Sequence, residues 1–327
     1  MTGLHDSFQR PIDYLRISVT DRCNLRCIYC VPSCGFQPMS HHDILTYEEI
    51  YTIAQAAAEL GINKIRVTGG EPLVRAGLSS LIGLLASIDD IDDISLTTNG
   101  TLLPRQAAGL KQAGLRRVNI SLDTLKQERF QSITQREQLG DVLKGIDIAR
   151  AVGLEPVKIN MVVMAGINDD EILDFAARTI NEGWHVRFIE LMPLVGGDAT
   201  ISLFFPVDEI RKRLEQLGKL EPCQPGVGNG PAKYFRFPNA MGTIGFIPAV
   251  SNHFCFQCNR LRLTSDGNLR PCLLAEDEVD LKQPLRNGTS SAALKQLIRE
   301  AVARKPLRHH LAEGRLPTDR PMTQVGG

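Results

Sequence analysis

Before residue 200 the chain sets a short strand pattern ahead of a helical one six times, and its strands alternate aliphatic with polar residues. Leu15-Arg16-Ile17-Ser18-Val19-Thr20 puts Leu15, Ile17 and Val19 on one face and Arg16, Ser18 and Thr20 on the other, because successive side chains of a strand point to opposite sides. Lys64, Arg66 and Thr68 oppose Ile65 and Val67, Ser95 and Thr97 oppose Ile94 and Leu96, and Asn119 and Ser121 oppose Val118 and Ile120. Strands are therefore predicted at 15–19, 65–68, 94–97, 118–121, 157–163 and 186–190. Parallel strands covered on both sides read as continuous hydrophobic runs, and a filled barrel packs its lumen with branched aliphatics; these strands do neither. Burying unpaired Lys and Arg costs too much, so the polar faces are expected to line a wet lumen that holds a polar, anionic ligand. The predicted fold is α/β, an incomplete (β/α)6 TIM-type barrel. An antiparallel sheet with one solvated face would show the same alternation, but the intervening helices argue against it.

The helices carry their own punctuation. Thr46 with Glu49 makes a capping box ahead of Ile50, Ile53, Ala54 and Ala57, and Gly61 ends that helix. Asn168 with Glu171 repeats the pattern before Ile172, Phe175 and Ala176. Residues 1–200 are read as the barrel and 201–327 as a C-terminal module, since Pro and Gly crowd 222–231. A hairpin is expected there, from Arg262-Leu263-Thr264 through Asp266-Gly267 to Leu269-Arg270, with a helix near 294–304. The basic run at 304–310 reads as a solvated helix end. Lys+Arg and Asp+Glu both total 37, leaving no net field to gather nucleic acid or anionic membrane. No apolar run approaches the ~18 residues of a membrane helix, and the first residues lack a signal-type core. Neither nucleic acid nor membrane is expected as a partner, and a cytoplasmic location is expected.

Eight cysteines narrow the chemistry. In a reducing compartment such thiols serve metals or catalysis rather than disulfides. Cys23-x3-Cys27-x2-Cys30 follows the first strand directly. Thiolates this dense suit an iron–sulfur cluster, and a [4Fe–4S] cube normally takes four of them, so three leave one iron open. Structural zinc would instead favour paired C-x2-C units with a fourth ligand close by. Cys34 extends the run toward a ferredoxin spacing but is followed by Gly35, not Pro, and is read as a bystander. Cys255-x2-Cys258-x13-Cys272 is a second trio, either a second iron–sulfur site or a zinc ribbon lacking one ligand. His253 and Cys223 are the candidates to complete it; Cys223 otherwise reads as a core thiol.

With Tyr29 in its penultimate position, the first trio resembles the signature of radical S-adenosylmethionine enzymes, and Gly69-Gly70-Glu71-Pro72 resembles their methionine-binding turn. Ser18-Val19-Thr20-Asp21-Arg22-Cys23-Asn24, Thr98-Asn99-Gly100, Ser121-Leu122-Asp123, Asn259-Arg260-Leu261-Arg262 beside the second trio, and Gly326-Gly327 extend the likeness. From about Leu15 to Gly327 the chain is similar to the GTP 3′,8-cyclase family of molybdenum cofactor biosynthesis. Val31 stands where that family usually has Met.

The resemblance implies a lyase that converts GTP to (8S)-3′,8-cyclo-7,8-dihydroguanosine 5′-triphosphate. It implies two [4Fe–4S] clusters, one on Cys23, Cys27 and Cys30 and one on Cys255, Cys258 and Cys272. S-adenosyl-L-methionine would chelate the open iron of the first, beside Gly69, Gly70 and Glu71, with Tyr29, Thr97, Ser121, Asn160 and Met192 in the cofactor set. The adenosyl radical would take hydrogen from the 3′ carbon of GTP, and the ribose radical would add to carbon 8. Guanine would meet the second cluster, and the triphosphate would be clamped by Arg16, Lys64, Arg66, Lys158, Arg187, Arg260 and Arg262. Cys27, Cys258, Arg260, Arg262 and the Gly326-Gly327 tail are the implied catalytic elements. An external electron donor, a downstream cyclic pyranopterin monophosphate synthase and a homodimer follow from the same likeness. Two other readings stay open: a peptide-modifying radical enzyme with an auxiliary cluster, which would normally add a recognition domain, and a zinc-stabilised binding module.

Overall fold

A computed structural model describes residues 3–31, 35, 37–193, 202–224, 228–313, 317 and 320–326. Cys34 and Gly327 lie outside the described residues. The six expected strands form in order: β1 (Tyr14–Ser18), β2 (Lys64–Thr68), β3 (Asp93–Thr98), β4 (Arg117–Ser121), β5 (Lys158–Val163) and β6 (His185–Glu190). Between them run α1 (Tyr47–Ala58), α2 (Leu78–Ala86), α3 (Leu103–Gln112), α4 (Gln127–Thr134), α5 (Leu139–Ala151) and α6 (Ile172–Asn181). Each strand pairs in parallel with the next. The register sets polar residues side by side: Arg16 opposite Arg66, Arg66 opposite Ser95, Thr97 opposite Asn119, and Asn160 between Ser121 and Arg187.

Beyond α7 (Val207–Leu214) the chain returns to the same sheet. After β7 (Glu221–Pro222) and β8 (Lys233–Arg236), β9 (Thr243–Ile247) adds in parallel to β6. β10 (Arg260–Leu263) adds in parallel to β1, placing Arg260 opposite Tyr14 and Arg262 opposite Arg16. The predicted hairpin continues from β10 into β11 (Asn268–Arg270), with Gly267 at φ +88° in the turn, and β12 (Val279–Asp280) follows. Side chains from β1 to β6, β9 and β10 all line one cavity, so the parallel run curls around a shared lumen. Among the described residues no pairing joins β9 to β10, and the barrel stays open.

The aliphatic faces turn outward under the helices. Ile17, Ile65, Val67, Leu96, Val118 and Ile120 are fully buried with Ile50, Ile53, Leu81 and Ile82, each contributing about 1.5–3 kcal/mol of burial. Thr46 and Glu49 make both bonds of the capping box that starts α1. Asn168 and Glu171 do not repeat it. Asn168 bonds Met164 N, Asp123 O and Val162 O, while Glu171 accepts from Thr124 Oγ1 and Leu125 N. Both side chains are spent tying the loop after β4 to the end of β5, and α6 begins uncapped at Ile172. α8 (Lys282–Arg286), α9 (Ser291–Ala303, capped by Ser290) and α10 (Met322–Val325) complete the described elements. None is long and apolar enough to cross a membrane.

Candidate active site

The loop after β1 is pinned before it presents its thiols. Arg26 N and Ile28 N donate to Thr134 O and Ile133 O at the end of α4, and Cys30 N donates to Cys27 O at 2.9 Å. Cys23, Cys27 and Cys30 converge on the lumen. Burial pushes the Cys23 thiol up to about 11, with the Glu71 charge adding to it, and pushes Cys27 and Cys30 up as well, with neighbouring thiols and Asp123 adding to it. Thiols so placed give up their protons when a cationic core takes over the charge. The donor set therefore fits an iron–sulfur cluster. Tyr29 Oη donates to Asp123 Oδ2 at 2.5 Å, and Asp123 Oδ1 accepts from Val162 N, which locks the loop onto β4 and β5.

The turn after β2 packs against the same loop. A Cβ on Gly69 would lie 2.8 Å from Thr20 O, and one on Gly70 would lie 2.4 Å from Arg22 O. These glycines are thus required first by the close approach of two backbones; Gly70 N and Glu71 N donate to Thr20 O and Arg22 O. Glu71, 1 % exposed, accepts from Leu73 N, Thr98 Oγ1 and Asn99 N. Burial holds its carboxyl up at about 7 despite those bonds. Gly69, Gly70, Glu71, Thr97, Ser121, Asn160 and Met192 border the lumen with the first trio.

The second trio faces the same lumen from the β10 side. Burial would raise the Cys258 thiol, but Arg260 and Lys305 beside it bring it down to about 6. Arg260 Nη2 lies 3.9 Å from Cys258 Sγ, and its guanidinium stacks on Phe254. His253, Cys255 and His309 bring one potential ligand atom each within 4.8 Å of one another. His309 is already spent, since Nε2 faces Ala249 O at 3.1 Å and Nδ1 accepts from Leu311 N. Cys223 sits half-buried at the end of β7, outside the lumen lining. The tail enters too: Met322 and Thr323 line the cavity, and Arg262 Nη1 donates to Gly326 O at 2.5 Å.

Arg16, Arg66, Arg187, Arg260 and Arg262 line the lumen. Burial and mutual repulsion lower Arg16, whose neighbours include Arg262 and Arg66, and burial brings Arg262 down to about 9. Lys64 and Lys158 lie outside the lining. Lys64 pairs with Asp13 at 3.0 Å, and Lys158 sits 5.4 Å from the Tyr234 ring, brought down to about 6 by burial and by Arg187. Buried cations in this number call for an anion. The unsatisfied atoms agree. Tyr14 Oη, Arg16 Nε, Arg187 Nε, Thr97 Oγ1, Asn160 Oδ1, His253 Nδ1 and Thr323 Oγ1 are buried without a hydrogen-bond partner, and all seven residues border this cavity. Native interiors tolerate few such atoms, so their clustering outlines a polar ligand.

Sequence reasoning named Asp123 only as part of a motif, with no role, and missed Tyr14, Lys305 and His309. Tyr14 shares the strand face of Arg16, so the alternation could have found it. The last two belong to the basic run, which does not lie wholly in solvent: Lys305 and His309 are buried against the second trio.

Two family models match the chain, one described as the radical SAM superfamily over residues 17–178 and one as molybdenum cofactor synthesis C over 184–311. A GTP 3′,8-cyclase of Pelotomaculum thermopropionicum is 51% identical over 326 residues, covering 99% of this chain and 100% of the relative. One from Moorella thermoacetica is 51% identical over 325 residues, with coverage of 99% and 100%. Among solved structures, Streptococcus suis SuiB bound to its precursor peptide matches with a TM-score of 0.63 at 14% identity, over 92% of this chain and 67% of that one, a likeness of fold alone. By full-length identity and by both family models, the chain belongs to the GTP 3′,8-cyclase family of the radical S-adenosylmethionine superfamily.

Proposed function

We propose that this chain converts GTP to (8S)-3′,8-cyclo-7,8-dihydroguanosine 5′-triphosphate, the first step of molybdenum cofactor biosynthesis. The observation that carries the reading is the convergence of two thiol trios and five arginines on one lumen edged by unsatisfied polar atoms. Cys23, Cys27 and Cys30 would hold one [4Fe–4S] cluster, and Cys255, Cys258 and Cys272 a second. With S-adenosylmethionine bound, the first cluster supplies a hydrogen-abstracting radical. The chain's own residues bind and orient. Thr97, near the end of β3, and Asn160, within β5, offer a donor and an acceptor to the lumen. Arg16, Arg66 and Arg187 would bind the triphosphate as forks, and Arg260 and Arg262, which border the same lumen beside the second trio, would join them. Gly326 packs against Ser18 of β1 and Thr68 of β2, where the tail would limit water. The electron comes from an external donor, and the product passes to a cyclic pyranopterin monophosphate synthase.

The test is anaerobic reconstitution followed by incubation with S-adenosylmethionine, GTP and a reductant, the nucleotide product being identified by mass and NMR. The expected result is about eight irons per chain and the cyclised triphosphate. Zinc bound without iron, or cleaved S-adenosylmethionine with GTP recovered intact under every reductant tried, would overturn the reading.

A further inference from the structure

The basic run at 304–310 plays no part in the chemistry above, yet Lys305 turns inward from it and is 3 % exposed. A buried ammonium is costly unless its protons find acceptors. Lys305 Nζ donates to Arg260 O at 2.8 Å and to Pro271 O at 2.6 Å, and its charge stands beside the Cys258 thiol, which it lowers. The partners are telling. Arg260 lies two residues after Cys258, and Pro271 directly precedes Cys272. One ammonium thus ties together the two chain segments that carry two thiols of the second trio.

The third thiol is tied to the same segment from the other side. Arg10 Nη1 donates to Cys255 O at 2.6 Å and to Leu307 O at 3.0 Å, and Nη2 donates to Pro306 O at 2.7 Å. Asp6 fixes that guanidinium through a 2.5 Å bond to Nε. The backbone flanking Lys305 is therefore anchored to the cysteine loop independently of Lys305 itself. Bracing alone would be served by a neutral donor. A cation adds a charge held next to a thiolate sulfur.

We propose that Lys305 is a positioning residue for the second site: it braces the segments of Cys258 and Cys272 and, through its charge, raises the reduction potential of the cluster held there. This rests on the two-cluster reading above. Hydrogen bonds to cluster sulfurs and nearby positive charge favour the reduced, more negative state.

The test uses the full chain, reconstituted anaerobically and titrated for potential while each reduced cluster is followed by electron paramagnetic resonance, the second being the one whose signal responds to GTP. Wild type holding only about four irons would sink the two-cluster reading before any variant is compared. With about eight irons present, Lys305→Met should keep its iron, shift the midpoint of the GTP-responsive cluster to more negative potential and leave the other midpoint in place. Should Lys305→Met lose half of its iron, retention of that iron by Lys305→Arg would support the charged brace. Full iron with both midpoints unmoved in Lys305→Met, or iron lost equally from both variants, would overturn the assignment.

Discussion

The seat of the C-terminal tail is narrow enough to predict what one methyl group does to it. Gly326 has φ +77° and ψ 116°, a combination that costs a residue with a Cβ about 1–3 kcal/mol. Its Cβ would also stand 2.8 Å from Thr68 Cγ2 and 3.3 Å from Ser18 Cβ, both on the lumen face of central strands. Overpacking of that kind costs about 1–3 kcal/mol more. Opposing them is the charge-assisted bond from Arg262 to Gly326 O, a contribution of about 1.5–3 kcal/mol. Gly326→Ala should therefore lower the ratio of seated to released tail by about thirtyfold or more, at about 1.4 kcal/mol per factor of ten. Hydrogen exchange followed by mass spectrometry should show residues 322–326 exchanging faster by that factor. Cleavage of S-adenosylmethionine should continue while cyclisation falls. Thr68→Ser in the same chain removes the closer clash but neither the Ser18 contact nor the backbone strain, so it should restore part of the protection and not all of it. Gly109→Ala, which meets nothing within 4 Å and lies outside the lumen lining, is the control. Wild-type exchange in Gly326→Ala would refute the strain argument, and faster exchange with unchanged cyclisation would show that the seated tail is not what the reaction requires.

Cys258→Ala should spare uncoupled cleavage of S-adenosylmethionine and abolish cyclisation; normal cyclisation measured by product mass would refute the division of labour between the two trios. Arg66→Ala, by removing a charge-assisted contact of about 1.5–3 kcal/mol, should weaken GTP binding in calorimetry by roughly 10–100-fold, and an equal loss for S-adenosylmethionine would contradict the clamp. Glu71 gives a pH signature. Its carboxyl sits at about 7 in the folded chain against 4.5 in its ordinary range, so the folded state keeps a proton that the unfolded chain releases. Stability from this group is complete below about pH 4.5 and is lost as pH rises toward 7, by about 3 kcal/mol at most. Glu71→Gln should flatten the pH dependence of denaturant unfolding across that window, and an unchanged slope would refute the assignment.

What the sequence disclosed was what repeats locally. Polar alternation exposed the lumen because Arg16, Arg66 and Asn119 each sit opposite a polar neighbour in the observed register, and a strand face needs no tertiary information. The Thr46 box was legible for the same reason. The Asn168–Glu171 pattern misled because its partners, Asp123 and Thr124, come from another unit at a separation no local rule sees. β9 escaped notice because Gly245 interrupts its apolar run; a Cβ there would lie 2.9 Å from Arg187 Cγ, so the glycine makes room for a lumen arginine. Lys305 and Arg10 were invisible as site residues, since Arg10 meets Cys255 across 245 positions and a basic run gives no sign of which cation turns inward.

The two trios have the same count of thiols and opposite surroundings, and this separates their roles. Around the first stand Glu71 and Asp123, whose charges push the Cys23, Cys27 and Cys30 thiols further up after burial has done so. Around the second stand Arg260 and Lys305, which outweigh burial and hold Cys258 low. On the proposed two-cluster reading, negative surroundings would disfavour adding an electron, so a cluster at the first site would be the stronger reductant, which is what cleavage of a sulfonium demands. Positive surroundings favour an anionic guest, and a cluster held there would keep its electrons, as the proposed site that holds a nucleotide without consuming it requires. The polarity of the lumen thus runs from acid-flanked thiols at the end of β1 to cation-flanked thiols beside β10, and a triphosphate entering it is drawn toward one end. Directionality of this kind needs no moving part. It follows from which charges the register of β10 on β1 brings alongside Tyr14 and Arg16.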